Sequence, residues 1–445
     1  MSHTSRWWAL PVLLTAAFVT TLDFFIANVA LPAIRLDLGA SEGETQLVIA
    51  GYGLAYAAGV IIAGRLGDVH GPRRIFLAGL ALFTLASAAC GAAPSPSLLI
   101  AARIVQGAAA ALMAPQVLTL LGALYQGTDR VKAFSWYGTA VGLAGIAGQV
   151  VGGLLMAADL AGSGWRACFL INLPLGAAGL LLGARLLPAD GRTTKGRVDA
   201  PSALLIATAL VAVVLPLTQG REQGWPLWSW LSLVAGAGLM GAFVSRQRLL
   251  RRVGGEPLLD MRVFERRGFV PGLVAVALLF GSSSALSFVL ALHLQDAMGL
   301  TPLHSGAIFT ALNAGFFTAS LLARRAKTET PIAGAIALAG GFLLISLTAE
   351  PTQLIPGLFL AGAGMGLTMS PLLSMVMAHG SGDAAGVLGT VQEAGGVAGV
   401  TVAGMIFFAG GLGVTLAVLT GAALAIALLT YRITPETQPA DTRRA

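Results

Sequence analysis

The segment FVPGLVAVALLFGSSSALSFVLALHL, residues 269–294, decides the fold class of this chain. It contains no Asp, Glu, Lys or Arg, and about 20 apolar residues at a helical rise of about 1.5 Å cross a hydrocarbon layer of about 30 Å. Similar segments recur along the whole sequence, in which 56% of the 445 residues are hydrophobic and only 11% are charged. We therefore predict an all-α integral membrane protein.

Fourteen apolar segments are long enough to be transmembrane helices. They are residues 8–33, 46–66, 75–92, 98–124, 133–157, 167–187, 200–217, 227–244, 269–294, 303–323, 331–347, 354–377, 384–408 and 412–431. The longest polar stretch, residues 245–268, follows the eighth span and contains a candidate amphipathic segment, EPLLDMRVF. We predict a six-helix bundle in residues 1–187, two linker helices and a cytoplasmic loop in 188–268, a second six-helix bundle in 269–432 and a cytoplasmic tail in 433–445.

Glycines indicate that the two six-helix bundles are related by pseudo-symmetry. The fifth and thirteenth spans, each the fifth of its bundle, carry Gly145, Gly148, Gly152 and Gly153, and Gly395, Gly396 and Gly399, respectively. Small residues let membrane helices approach closely. Two related halves around a midplane site are typical of secondary transporters.

The positions of Lys and Arg predict the orientation, because cytoplasmic loops retain these residues. With the N-terminus inside, all but four of the 27 Lys and Arg residues lie in cytoplasmic segments. Arg35, Arg166 and Arg221 are outside, and Arg103 lies within the fourth span. We expect a multi-pass protein of a bacterial cell membrane with both termini in the cytoplasm. The basic residues are explained by membrane orientation, so nucleic acid is not an expected partner.

Three ionisable residues lie well within spans, where such residues are costly and are functional candidates. Asp23 lies about 15 Å and Arg103 about 8 Å below the outer surface at helical rise, a difference that an arginine stem bridges. Burial and a nearby guanidinium push a carboxyl pKa in opposite directions, so Asp23 is a candidate proton carrier. A fixed structural ion pair is the alternative. For Glu393, a substrate or proton role and a simply hydrated side chain both stay open.

No ATP-binding loop, metal-ligand cluster or nucleophile elbow is recognisable in the sequence, and Cys90 and Cys168 fit as small apolar side chains. We therefore expect a transporter and not an enzyme, with no cofactor or metal and with an ion gradient as the energy source. Small-molecule substrates, protons and the lipid bilayer are the expected partners, and a single chain is expected to function as a monomer. The candidate cavity residues are Phe25, Asn28, Gln106, Asn313 and Gln392.

The loop GRLGDVHGPRR, residues 64–74, resembles the signature loop of the major facilitator superfamily. LDFFIANVALP (22–32) resembles the first-span motif of the superfamily's fourteen-span drug–proton antiporter branch. AARIVQGAAAA (101–111) and GIAGQVVGG (145–153) are similar to its fourth-span and fifth-span motifs. WRACFLINLPLG (165–176) and EPLLDMRVF (256–264) resemble its sixth-span opening and central linker. The resemblance thus runs in order along most of the chain.

The resemblance implies two six-helix domains that rock about a central cavity, with two extra helices between them. It implies that Arg103 couples protons together with Asp23. It assigns a cytoplasmic gate to Gly64, Asp68, Gly71, Arg73 and Arg74, with Asp129 as a candidate acid for the basic pair. It assigns close domain approach to Gly145, Gly148, Gln149, Gly152 and Gly153.

Three positions depart from the family pattern. Val69 stands where a basic residue is usual, and Phe25 stands where the branch usually has threonine. Gln149 replaces the proline of the fifth-span motif, so a proline kink is not expected there. The leading hypothesis is a proton-coupled exporter of small amphipathic compounds that works by alternating access. An importer or symporter of a specific metabolite is the alternative, and a membrane sensor without flux is a third hypothesis.

Overall fold

The computed structural model describes residues 7–159, 162–190, 199–220, 223–253, 264–266, 268–322, 330–348, 350–379 and 384–433. All regular elements in these residues are helical. They are α1 (Ala9–Leu38), α2 (Glu42–His70), α3 (Pro72–Gly91), α4 (Pro96–Leu124), α5 (Gly127–Ala158), α6 (Gly164–Leu186), α7 (Ala200–Gln219), α8 (Leu227–Arg252), α9 (Phe269–Leu292), α10 (Pro302–Leu322), α11 (Thr330–Ser346), α12 (Leu354–His379) and α13 (Ala384–Ile433). Helix α6 includes a 310 turn and a short first segment before its main part, Asn172–Leu186. A π-helical turn, His293–Ala297, extends α9, and a 310 turn, Pro351–Gln353, precedes α12. The linker residues 256–263 and the tail 434–445 lie outside the described residues.

Local sequence signals set the starts of the early helices. At α2, the Ser41 hydroxyl accepts a hydrogen bond from the Glu44 backbone N–H at 3.2 Å. The Glu44 carboxylate in turn accepts one from the Ser41 N–H at 2.9 Å, which completes a capping box. Pro72 and Pro96 occupy the first positions of α3 and α4, where the missing N–H of proline has no intrahelical partner to lose.

Within the described residues, ten helices are long and apolar enough to cross a membrane, or eleven if the bent α2 is one span. Part of the difference from the predicted fourteen comes from α11, which has 17 residues. The final run Val387–Ile433 has 47 residues and counts once. Its path is broken at Gly411, where φ is 75°. The all-helical, multi-span class is confirmed, whereas ten or eleven of the described helices, and not fourteen, qualify as spans by length and composition.

The helix packing of the first half of the chain recurs in the second. In the first half, α1 packs on α5, while α2 and α3 both pack on α4. In the second half, α9 packs on α13, while α10 and α11 both pack on α12. Contacts between the halves join α5 to α10 and α2 to α13. Helices α7 and α8 pack on each other, and α7 also contacts α2 and α13.

An ion pair joins α7 and α8 at the end of the helices where the chain begins. We call this end the basic face, because Arg65, Lys132 and Arg246 also lie there. The Arg246 guanidinium donates to Asp199 at 2.7 Å, and Ser202 also donates to this carboxylate. Burial alone would raise the pKa of Asp199, but the hydrogen bonds from Arg246 and Ser202 and the arginine charge lower it overall. The pair is therefore ionised at neutral pH.

The two halves contact each other at the opposite face of the helices. Arg35, near the end of α1, donates to the Asp296 carboxylate at 3.3 Å. The neighbouring Gln295 side chain donates to the Val29 carbonyl at 2.9 Å. Since α1 belongs to the first half and Asp296 follows α9, these bonds close the opposite face between the halves.

Candidate functional site: a buried polar cluster beside a central cavity

Five fully buried polar side chains form one cluster inside the first half of the chain. They are Asp23, Ser87, Arg103, Gln106 and Asn172, and we call them the Asp23 cluster. The Asp23 carboxylate accepts hydrogen bonds from the Arg103 guanidinium and, at 2.8 Å each, from the Gln106 and Asn172 side-chain amides. The positive charge and the amide donors compensate the buried negative charge.

The cluster residues come from four helices, and hydrogen bonds between these helices fix the geometry of the cluster. Arg103 and Gln106 lie one turn apart on α4, so they share a face, and Arg103 Nη1 donates to Gln106 Oε1 at 2.8 Å. Arg103 Nε also donates to the carbonyl of Val48 on α2 at 3.1 Å. The Ser87 hydroxyl accepts from Gln106 at 3.1 Å and from Asn172 at 3.0 Å. Motion of α1, α3, α4 or α6 would therefore disturb this network.

Tyr52 separates the Asp23 cluster from the central cavity. The Arg103 guanidinium carbon lies 4.2 Å from the centroid of the Tyr52 ring, in cation–π geometry. Tyr52 also lines the cavity. The close approach depends on Gly107, because a Cβ there would lie 2.1 Å from the Tyr52 carbonyl oxygen. The tyrosine thus contacts the buried charge pair and faces the cavity.

The central cavity has a volume of about 560 Å³ and lies between the two halves. It extends from the middle of the helices toward the basic face, since its wall includes Ala16 near the start of α1 and Tyr137 in the first half of α5. This volume suits one small molecule of drug size. Its polar and aromatic wall residues include Thr20, Thr21, Phe24, Phe25, Tyr52, Tyr56, Tyr137, Phe280, Ser283, Ser284, Asn313, Phe316, Gln392 and Glu393.

The structure divides the predicted cavity residues into two groups. Phe25, Asn313 and Gln392 line the cavity, as does Glu393. Gln106 and Asn28 do not. Gln106 belongs to the Asp23 cluster. Asn28 is fully buried, and its amide donates to the Phe24 carbonyl at 2.7 Å, one turn earlier in α1.

The fifth-span glycines face two different neighbours, which corrects their predicted common role. A Cβ at Gly148 would lie 2.7 Å from Phe25 Cβ, and one at Gly152 would lie 2.9 Å from an Ile26 side-chain carbon. Both positions therefore pack against α1 of the same half and not against the second half. Adjacent residues of a helix point about 100° apart, so Gly152 and Gly153 cannot face one neighbour.

The contact between the halves involves the other members of that set. A Cβ at Gly153 would lie 2.7 Å from Leu303 Cα in α10. A Cβ at Gly306 in α10 would lie 2.4 Å from the Gln149 carbonyl oxygen. Gly145 faces both halves, because a Cβ there would lie 3.3 Å from Phe25 in α1 and 3.7 Å from Asn313 in α10. Close approach of α5 and α10 thus uses Gly153, Gly306 and the Gln149 backbone.

The signature loop is held by an acid that the sequence analysis missed. The Asp190 carboxylate, which follows α6, accepts hydrogen bonds from the backbone N–H groups of Arg73 at 2.8 Å and Arg74 at 3.2 Å. These are free N–H groups at the start of α3, so Asp190 caps that helix. Gly71, at φ 95°, leaves room for the carboxylate, because a Cβ there would lie 2.2 Å from Asp190 Cγ.

The other predicted gate residues lie at the basic face. Asp68 is in the last turn of α2 and Asp129 is in the first turn of α5. Gly64 lies earlier in α2, with open space at its Cβ position. Arg73 and Arg74 donate hydrogen bonds to Asp190, and the Arg73 guanidinium also donates to the Ala184 carbonyl; both acceptors lie in the first half of the chain. Within the described residues, no group of three His, Cys, Asp or Glu side chains could hold a metal ion.

Comparisons with known proteins identify the family. The Major Facilitator Superfamily model matches residues 13–400. A probable actinorhodin transporter of Streptomyces coelicolor is 36% identical over 423 residues, which cover 91% of this chain and 73% of that protein. A puromycin resistance protein of Streptomyces alboniger is 36% identical, covering 89% and 80%. A cephamycin export protein of Amycolatopsis lactamdurans is 34% identical, covering 88% and 83%.

Solved structures show the same fold at low sequence identity. The crystal structure of a POT family transporter in complex with a thioalcohol-conjugated peptide superposes with a TM-score of 0.72 at 16% identity, covering 97% of each chain. A peptide transporter POT in complex with sulfate superposes with a TM-score of 0.69 at 18% identity. The sequence motifs, the helical fold and these matches agree, and the chain belongs to the Major Facilitator Superfamily.

Proposed function

We propose that this chain exports small amphipathic compounds across the cell membrane in exchange for protons, by alternating access. Relatives that align along nearly the whole chain are named as transporters, exporters or resistance proteins for antibiotics. The cavity between the halves is large enough for one such compound. The chain acts as a transporter and not as an enzyme, and the proton gradient supplies the energy without a cofactor.

The observation that carries the proton coupling is the position of the Asp23 cluster beside the cavity. In this conformation Asp23 is fully buried, and Tyr52 stands between its arginine partner and the cavity. The carboxylate and the guanidinium stabilise each other only while both are in place, because removing either leaves a buried charge. A rearrangement that hydrates Asp23 and withdraws Arg103 changes its proton affinity, and a change of one pKa unit corresponds to about 1.4 kcal/mol.

The proposed topology has fourteen crossings with both termini in the cytoplasm. It consists of six-helix bundles in residues 1–187 and 269–432, linker helices in 188–268 and a cytoplasmic tail in 433–445. The length of the final run supports two crossings there, since its 47 residues extend over about 70 Å at helical rise and a single crossing needs about 30 Å. The basic face is then cytoplasmic. One chain contains the whole cavity, which supports function as a monomer.

The test is uphill flux in liposomes that contain the purified protein, with the membrane potential clamped. An antiporter accumulates substrate inside when the lumen is acidic, whereas a symporter does so only when the exterior is acidic. A panel of cationic, neutral and anionic fluorescent amphiphiles provides the substrates.

The Asp23→Asn variant cannot titrate at this position and keeps the shape of the side chain. It should bind substrate and let it equilibrate, but it should not accumulate substrate in the pH gradient. Asp159→Asn is the matched control, because Asp159 lies at the end of α5 in a left-handed conformation that Asn also adopts. Uphill flux by Asp23→Asn at the parent rate would refute the coupling role.

A further inference from the structure

The described wall of the central cavity contains one acidic side chain and no lysine or arginine. Glu393, on α13, is the charged side chain in that wall. The nearby Arg103 is fully buried in the Asp23 cluster, and Tyr52 covers its guanidinium on the side that faces the cavity. The electrostatic field that a bound compound meets is therefore set by the Glu393 carboxylate.

Glu393 also has no ion-pair partner among the described residues, in contrast to Asp23. Asp37, Asp190 and Asp296 also form salt bridges, and each of them lies at one of the two faces of the helices. An ionised carboxylate away from bulk water is costly unless a counter-charge is present. The described residues supply none beside Glu393, so a bound cation would provide the missing partner.

The rest of the wall suits a cation with aromatic or flat apolar groups. Tyr52, Tyr56 and Tyr137 line the cavity and lie within electrostatic reach of the Glu393 carboxylate. Aromatic faces attract cations, and the effect grows when water is excluded. Met365 and Met369 add flexible, polarisable side chains that adapt to ligands of different shape.

We propose that Glu393 is the cation-binding group of the central cavity, and that the cavity selects singly charged aromatic cations over anions of the same shape. The proposal rests on the proposed function, since it names the substrate class of that transport site. The carboxylate neutralises the ligand charge, and the tyrosine and methionine side chains enclose its apolar groups. A single carboxylate matches a single positive charge, which sets the charge class of the ligand.

The first experiment compares tetraphenylphosphonium with tetraphenylborate, which have four phenyl groups each and opposite charges. Equilibrium binding to the full chain in lipid nanodiscs is measured, and binding to protein-free nanodiscs is subtracted. We expect the cation to bind the parent protein at least about tenfold more tightly than the anion. Equal affinities, or tighter binding of the anion, would overturn the proposal. No variant is needed for this result.

Variants then locate the selectivity. Glu393→Gln should weaken phosphonium binding about tenfold or more and leave borate binding within about threefold, and Glu393→Lys should favour the borate. Glu350→Gln is the matched control, because Glu350 is an exposed acid between α11 and α12. Unchanged phosphonium affinity in a folded Glu393→Gln protein contradicts the assignment.

The binding and flux experiments fail separately. Selective phosphonium binding without any uphill flux in a pH gradient leaves this inference standing and removes the proposed proton-driven export. Uphill flux together with equal binding of both ions removes this inference and leaves export intact.

Discussion

Gly306→Ala should destabilise the conformation described here relative to the one that opens at the opposite face. The added Cβ would lie 2.4 Å from the Gln149 carbonyl oxygen, where ordinary contact begins at 3.4 Å. Helices α5 and α10 would have to separate by the difference, about 1 Å. Overpacking of this kind costs about 1–3 kcal/mol. Because the clash lies between the halves and disappears when they part, this cost shifts the conformational equilibrium about 5- to 150-fold.

The shift can be measured with spin labels across the opposite face. Leu36 lies in the last turn of α1 in the first half, and Leu347 directly follows α11 in the second half. They are 82% and 81% exposed, so cysteines at these positions can be labelled. The native thiols Cys90 and Cys168 are buried and should react slowly. Double electron–electron resonance should show a larger population at long distance in Gly306→Ala than in the parent.

Two further glycines separate this effect from general damage. Gly241→Ala in α8 is the neutral control, since no atom lies within 4 Å of its Cβ position. Gly148→Ala clashes within the first half, with Phe25 Cβ at 2.7 Å, so it should lower the melting temperature without a comparable change in distances. A Gly306→Ala protein with the distance distribution of the parent would refute the predicted shift.

Two other predictions concern the wall of the cluster and the signature loop. Tyr52→Phe keeps the ring over the Arg103 guanidinium and should transport like the parent. Tyr52→Leu removes the ring and should let protons leak through substrate-free liposomes. If liposomes with the leucine variant stay impermeable to protons, Tyr52 has no sealing role. Asp190→Ala removes the cap of α3 at a cost of about 0.5–2 kcal/mol, so the Arg73 and Arg74 amides should exchange hydrogen several-fold faster. Asp159→Ala should leave those amides unchanged, and unaltered exchange in Asp190→Ala would disprove the cap.

The similar depths of Asp23 and Arg103 below the outer surface predicted that the two side chains could meet. The structure places them in contact. The three-residue spacing of Arg103 and Gln106 indicates that both side chains share a face of α4. Gln106 was nevertheless predicted to line the cavity, because it is polar. Asn172 and Ser87 are uncharged and lie on helices whose rotation the sequence does not specify. Their membership of the cluster depends on how α3 and α6 pack against α4.

Glycine spacing predicted close helix contact in α5 but not which helix makes it. A run such as GIAGQVVGG offers small residues on more than one side, so α1 and α10 can both approach. The choice is made by the packing of the whole bundle, which no local pattern encodes. The Asp190 cap also depends on tertiary packing, because Asp190 and Arg74 are 116 positions apart in the chain.

Asp23 and Glu393 lie on different sides of Tyr52, so the two proposals above place the proton and the substrate at two separate acids. For exchange to be coupled, a compound in the cavity must change the proton affinity of Asp23. By thermodynamic linkage, protonation of Asp23 must then change the affinity for the compound by the same factor. A coupling free energy of about 1.4 kcal/mol corresponds to a factor of about ten. A fixed structural ion pair would give no such factor, since its protonation would not respond to the cavity. Tyr52 contacts the guanidinium and also faces the compound, so displacement of its ring is the shortest route by which occupancy of one site can alter the other.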